Sequence, residues 1–248
     1  MSSAVSLLRL ESVSRSFWRG ATEIPVLRGI SLDVHPGDFV AVYGQRNAGK
    51  TTLLKVAAGF ECPDSGRVTF LGDDLAGVSR RRFTRLHRDG IGWVEHSGPR
   101  SDGLSMRAYV AMPLLGEMGA IQAQRRAGSV LADVGVDDCA DRRWDELSDA
   151  ARMLVAIAHA LVRRPKLLIV DDPTVGLGMT DRESIVGLLR QAADEDGVGI
   201  LMAVPDMPAM VQADRVHSLG RGRLLSPAGA PPGRRSNVVE FPGGRGGR

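Results

Sequence analysis

The sequence is poor in cysteine, lysine and aromatic residues, and it has no long apolar run. Its two cysteines, Cys62 and Cys139, lie far apart in a chain of 248 residues, which argues against a disulfide framework or a cysteine-rich metal site and favours a reducing compartment. No stretch reaches the roughly 18–20 apolar residues that cross a bilayer. The first residues also lack a basic segment followed by an apolar one, so we expect neither a membrane span nor a signal peptide.

The chain is basic overall, but the excess charge belongs to its last residues. The formal net charge is +3, and residues 226–248 contain four arginines and a single acid, so residues 1–225 are neutral. This final segment is rich in glycine and proline and poor in bulky apolar side chains, so it cannot offset the entropy of ordering. We therefore predict a disordered tail over 226–248. A neutral body gives no reason to expect nucleic acid as a partner.

Apolar patterning predicts an α/β fold. The first 35 residues alternate apolar and polar positions, which is typical of an antiparallel sheet with one wet face. From about 101 to 165 only helical periodicity is present, which predicts a helical insert. Elsewhere, helical patterns alternate with short apolar runs, as expected for a largely parallel sheet. The predicted strands are 39–44, 67–71, 91–94, 167–170 and 199–204, and the predicted helices are 50–59, 152–162 and 181–194.

The strongest motif is the segment GQRNAGKT, residues 44–51, which matches GxxxxGK[ST] in full between a predicted strand and a predicted helix. Glycines at 44 and 49 let backbone N–H groups wrap phosphates, and the helix N-terminus adds partial positive charge. Lys50 is one of only three lysines among 32 basic residues, and its compact charge suits the β- and γ-phosphates. The hydroxyl of Thr51 is a candidate ligand for Mg²⁺.

A second motif, KLLIVDD at residues 166–172, places two acids at the carboxyl edge of a buried strand. Ligands bind at this edge in open α/β sheets. We expect Asp171 to hold Mg²⁺, directly or through water, and Asp172 to face an attacking water. Such a pair can also simply cap a helix, but a phosphate loop about 120 residues upstream favours the metal role.

These motifs, their separation and the helical insert resemble the ATP-binding subunit of an ABC transporter over about residues 6–225. Residues 147–177 are similar to the signature segment of that family running into its Walker B strand. Other similar segments are 66–75 and 213–225, together with 91–96 and 110–115, which resemble the lipoprotein-release and macrolide-export branch. The resemblance implies a P-loop NTPase core with a mostly parallel sheet, an N-terminal antiparallel β subdomain and an inserted helical subdomain, within residues 1–225.

The resemblance also implies a mechanism, in which two such subunits close over two ATP molecules with Mg²⁺. The implied partners are membrane-spanning permease subunits and a second ATP-binding subunit, of the same or another chain, at the cytoplasmic face of the cell membrane. Phe17 matches the position of an aromatic that stacks on adenine, although packing in the core is an alternative. The family's remaining nucleotide contacts fall on Gly44, Asn47, Ala48, Gly49, Lys50, Thr51, Thr52 and, in the signature, Ser148.

Three departures from the family pattern affect nucleotide and metal contacts. Asn47 stands where the family favours glycine. His96 takes the place of a glutamine that serves Mg²⁺ and the attacking water; imidazole is a poor substitute for an oxygen ligand, and Glu95 is a candidate to compensate. The signature is LSDAA, residues 147–151, instead of LSGGQ, so Asp149 either adds negative charge near the γ-phosphate or caps the helix together with Ser148.

Two further departures affect the proton chemistry. Asp172 replaces the catalytic glutamate and is shorter by one methylene, and Pro205 replaces the switch histidine and has no titratable group. We expect Asp172 and His96 to carry whatever catalysis remains, and we predict that ATP binding is retained while turnover is slow or lost. The alternatives are a non-hydrolysing regulatory or structural subunit and, less favoured, a soluble ATPase in nucleic-acid or cluster-assembly work.

Overall fold

The computed structural model describes residues 6–95, 103–205 and 212–225. Its strands are β1 (Leu8–Arg19), β2 (Thr22–Val34), β3 (Phe39–Tyr43), β4 (Ser65–Phe70), β5 (Asp73–Asp74), β6 (Ile91–Glu95), β7 (Leu167–Asp171), β8 (Gly199–Val204), β9 (Arg215–Gly220) and β10 (Arg223–Leu225). Its α-helices are α1 (Lys50–Ala57), α2 (Arg80–Gly90), α3 (Met106–Ala111), α4 (Ala120–Asp133), α5 (Asp149–Leu161) and α6 (Met179–Asp196). No helix in the described ranges has both the length and the apolar character that crossing a membrane requires.

The first sheet is antiparallel and has the strand order β2-β1-β4-β5. β1 pairs with β2 from Leu8↔Val34 at one end to Arg19↔Thr22 at the other. Leu8 and Leu10 are buried while Arg9 between them is exposed, which is the alternation of a sheet with one wet face. The antiparallel sheet expected from the first residues is therefore confirmed.

The second sheet has the order β10-β9-β3-β8-β7-β6, and all its pairs are parallel except that of the edge strand β10. β7 and β8 are buried at every position, because helices and the first sheet cover both faces. The parallel register brings the carboxyl ends of β3, β6, β7 and β8 to one edge. The predicted phosphate loop follows β3 at that edge, and the two acids lie at the end of β7.

Three apolar cores hold the elements together. α1 and the first sheet share a core with one face of the second sheet, while α5 and α6 pack on its other face. α3, α4 and α5 form the third core, so α5 belongs both to the helical lobe and to the α/β body. The described residues between β6 and β7 contain helices, turns and one isolated bridge, from Ser105 to Arg143. The predicted tail over 226–248 lies outside the described residues.

Candidate nucleotide site

The loop between β3 and α1 has a backbone that excludes most side chains at three positions. A Cβ on Gly44 would lie 2.7 Å from the carbonyl oxygen of Leu219. Gly49 has a φ of 101°, and a Cβ there would lie 2.8 Å from Cγ1 of Val26. Asn47 is also left-handed, with a φ of 65°. Asparagine is one of the few residues that tolerate this conformation, so Asn47 can take the place of the glycine that the family resembled by the sequence favours there.

Lys50, the first residue of α1, is only 7% exposed. Its Nζ donates to the carbonyl oxygen of Gly44 at 3.0 Å and more weakly to that of Gln45 at 3.5 Å. Oδ2 of Asp172 lies 3.8 Å from the same nitrogen. The loop therefore holds a buried cation compensated by two carbonyls and a carboxylate.

Three more of the predicted contact residues, Ala48, Thr51 and Thr52, lie in the loop and in the first turn of α1. The N–H of Ala48 donates to the carbonyl oxygen of Gln45 at 3.1 Å, which tightens the turn. Thr51 is exposed and Thr52 half-buried in the first turn of α1.

Asp171 ends β7 and is 9% exposed. Burial raises the pKa of Asp171, and a hydrogen bond from the Thr51 hydroxyl together with the charge of Lys50 offsets only part of that effect. Its Oδ1 is buried and accepts no hydrogen bond from the described residues. Such an oxygen is costly to bury unless a ligand satisfies it.

The Thr51 and Asp171 pair fits Mg²⁺, because a hydroxyl and a carboxylate are oxygen donors of the kind this ion prefers. In the described ranges no group of three histidine, cysteine or acidic side chains could hold a metal alone. An ion that brings phosphate and water ligands with it matches this donor set.

Asp172 lies at the same edge and has a strained backbone, with a φ of 46°. Its N–H donates to the carbonyl oxygen of Ala203 at 3.0 Å, so β8 helps to fix this conformation. The side chain is directed toward Lys50, at the distance given above. Thr174, two residues on, is fully buried, and its hydroxyl makes no hydrogen bond with the described residues.

Phe17 lies on the first sheet near the loop. It pairs with Ile24, two residues before Val26, and Val26 approaches Gly49 as described above. Its side chain is 37% exposed, and the guanidinium of Arg15 lies 4.9 Å from its ring. The exposure disfavours packing in the core, whereas the adenine role stays a prediction.

The signature segment begins α5. Oγ of Ser148 accepts a hydrogen bond from the N–H of Ala151 at 3.2 Å and so caps the helix. Asp149 does not cap it. Its side chain is 73% exposed and pairs with Nη1 of Arg152 at 3.2 Å, so a cation one turn along the helix partly compensates its charge.

The structure gathers the loop, Thr51, Asp171 and Asp172 at one edge of the second sheet, while Ser148 caps the start of α5. Pro205 follows β8 at the same edge. His96 lies outside the described residues. Sequence reasoning missed Lys55, whose charge also lowers the pKa of Asp171.

A cavity of about 710 Å³ lies between α4 and α6, lined in part by Pro165 and Val198. These residues precede β7 and β8, so the cavity is at the opposite edge of the sheet and takes no part in this site.

A family model described as ABC transporter matches residues 27–175, which include the phosphate loop, Ser148 and both acids. The chain belongs to the ABC transporter family. This cassette is 32% identical over 220 residues to the lipoprotein-releasing system ATP-binding protein LolD of Ruegeria sp., covering 88% of this chain and 97% of that protein. It is 34% identical over 219 residues to LolD 2 of Caulobacter vibrioides, covering 88% and 96%.

The cassette is also 32% identical over 224 residues to the macrolide export ATP-binding/permease protein MacB of Azoarcus sp.. The match covers 90% of the chain but spans only about a third of MacB, 34% of its length. Among solved structures, a dimeric bacterial ABC transporter cassette superposes with a TM-score of 0.82 at 25% identity, covering 88% of this chain and 96% of that one. The predicted fold and the predicted ATP-binding subunit of an ABC transporter are confirmed.

Proposed function

We propose that this cassette binds ATP and couples that binding to conformational change in separate membrane-spanning permease subunits. It would work beside a second ATP-binding subunit, at the cytoplasmic face of the cell membrane. The LolD relatives support a separate permease, because they match this chain over 96–97% of their own length. Matches to MacB, whose description includes a permease, take up a third of that protein.

The observation that carries the proposal is the arrangement at the sheet edge. A buried Lys50 lies in a loop shaped for phosphates, and the oxygens of Thr51 and Asp171 lie beside it. ATP fits the loop, and Thr51 and Asp171 would hold Mg²⁺. The ion would neutralise charge on the phosphate oxygens. Phe17 and Ser148 would contact the nucleotide from the first sheet and, across a dimer interface, from the signature.

We further propose that turnover is slow. The carboxylate of Asp172 is one methylene shorter than glutamate and lies 3.8 Å from Nζ of Lys50, so its charge is engaged with the loop. Displacing a catalytic group by about 1 Å lowers a rate by roughly 100-fold. Pro205 has neither a titratable side chain nor an N–H with which to contact a phosphate. A binding-only regulatory subunit is the second candidate, favoured by the same Lys50 and Asp172 contact.

Two assays on the purified protein distinguish slow ATP turnover from a binding-only role. Binding of a fluorescent ATP analogue in Mg²⁺ is compared with phosphate release from ATP, in the wild type, Lys50→Ala and Asp172→Ala. We expect tight binding that is lost in Lys50→Ala, with slow release by the wild type. Release indistinguishable from buffer under single-turnover conditions would favour the binding-only subunit.

Two results would contradict the proposal. Rapid phosphate release that disappears in Asp172→Ala would exclude slow turnover. Absence of nucleotide binding by the wild type would exclude ATP coupling altogether.

A further inference from the structure

Glu95, the last residue of β6, lies in register with Asp171 at the end of β7. Paired residues of adjacent parallel strands are about 5 Å apart and point to the same face of the sheet. That face is the one that α1 covers, since Ile169 packs with α1 two residues before Asp171. Glu95 and Asp171 therefore place two carboxylates side by side near Thr51.

Asp171 and Glu95 differ in their burial and in their hydrogen bonds. Asp171 is more than nine-tenths buried, and its Oδ1 accepts no hydrogen bond from the described residues. Glu95 is exposed and forms no ion pair within the described ranges. Its one polar contact there is a long one, from Nε1 of Trp93 to Oε2 at 3.5 Å. The charge of Glu95 reaches Asp171, because it helps to raise the pKa of that carboxyl.

Two neighbouring carboxylates, one buried and one facing solvent, repel each other until a cation lies between them. Mg²⁺ keeps several waters when it binds to a protein, and those waters donate hydrogen bonds to nearby carboxylates. Resting on the proposed function, we infer that Glu95 positions the Mg²⁺ of bound nucleotide by accepting hydrogen bonds from its waters, beside Asp171 and near Thr51. Glu95 is thus a positioning residue that acts through water, and it supplies an oxygen that the neighbouring His96 lacks.

The test measures metal affinity separately from nucleotide affinity. The full chain is saturated with ADP, and free Mn²⁺ is followed by electron paramagnetic resonance during a titration. A fluorescent ADP analogue in EDTA reports nucleotide binding without metal. The variants are Glu95→Gln and Glu95→Asp, and Glu183→Gln is the matched control, because Glu183 is an exposed acid on α6.

We expect Glu95→Gln to weaken Mn²⁺ binding by about 10-fold or more, as outer-shell partners of a metal do. Metal-free nucleotide binding and the melting temperature should stay at wild-type values. Glu95→Asp keeps the charge and should lose less Mn²⁺ affinity, whereas Glu183→Gln should keep the wild-type Mn²⁺ affinity. Wild-type Mn²⁺ affinity in Glu95→Gln with nucleotide binding intact would overturn this inference alone. Failure of the wild type to bind ADP would overturn the proposed function and this inference with it.

Discussion

Three residues shape the phosphate loop by what they lack or tolerate. Gly44 and Gly49 leave no room for a Cβ, and Asn47 adopts a left-handed backbone. Small changes at these positions act on the whole loop, because Lys50 bonds to the carbonyl oxygen of Gly44. A shift of the loop backbone at Gly44 is therefore expected to move the amine of Lys50 as well.

Gly44→Ala should reduce ATP affinity sharply and lower the free energy of unfolding by about 1–3 kcal/mol. The added methyl would lie 2.7 Å from a backbone oxygen of Leu219, so the loop or β9 must shift. Fluorescent-nucleotide binding and urea denaturation measure the two effects. Gly116→Ala is the control, because no heavy atom lies within 4 Å of its Cβ position. Wild-type affinity in Gly44→Ala would show that the loop is not held against β9.

The phosphate loop and the acid pair could be predicted from the sequence because each is a contiguous motif. Two pairs of neighbouring residues in the site could not be predicted in this way. Glu95 meets Asp171 only through the register of β6 and β7, and Lys50 meets Asp172 only once β3 and β7 share an edge. Such neighbours are fixed by tertiary structure, which no local pattern encodes.

At the scale of elements, prediction succeeded where burial is complete. β7 and β8 are buried throughout and appear in the sequence as unbroken apolar runs. β9 was not predicted, because five of its six residues are only half-buried at the side of the sheet. α5 begins three residues before the predicted helix, since Ser148 caps it inside the signature.

α5 also carries a histidine, His159, from which we expect the helical lobe to be sensitive to acid. His159 stacks on Tyr109 of α3, with ring centroids 4.3 Å apart. Burial, helped by the charge of Arg163, lowers the pKa of His159 to about 4. The folded chain therefore keeps His159 neutral where the unfolded chain, with a histidine pKa near 6.5, takes up a proton.

From pH 7 to pH 4 the free energy of unfolding should fall by up to about 3 kcal/mol on account of His159. This stability is fully present above about pH 6.5 and is lost as the pH falls toward 4. Urea denaturation at several pH values measures it. His159→Phe keeps a ring to stack on Tyr109 but removes the titration, so its curve should be flatter. Equal slopes in the two proteins would assign the acid sensitivity to other groups.

For the molecule as a whole, Arg163 joins the helical lobe to the α/β body. Its side chain, 17% exposed, pairs with Glu117 at 2.9 Å and donates to the carbonyl oxygens of Arg88 and Pro113. Asp89 lies 3.9 Å away. Residues from α2 and from the segment before α4 thus meet at one guanidinium, that of Arg163 just after α5.

Arg163→Ala should lower the free energy of unfolding by about 1–3 kcal/mol, because it leaves two carbonyls and two acids without this cation. Hydrogen exchange should accelerate in α2 and around residues 113–118. Arg125→Ala, at an exposed arginine of α4, is the control and should change neither quantity. Unchanged exchange in Arg163→Ala would mean that apolar packing alone fixes the lobe.

The scarcity of lysine makes the nucleotide site chemically addressable. Lys55 and Lys166 are exposed, so general amine-acylating reagents will modify them, whereas Lys50 is buried in its loop. An acyl-phosphate derivative of ATP carries its reactive carbonyl to the amine that binds the phosphates. Peptide mass mapping of the tagged chain would then report occupancy of this one site, even inside a complex that contains a second cassette.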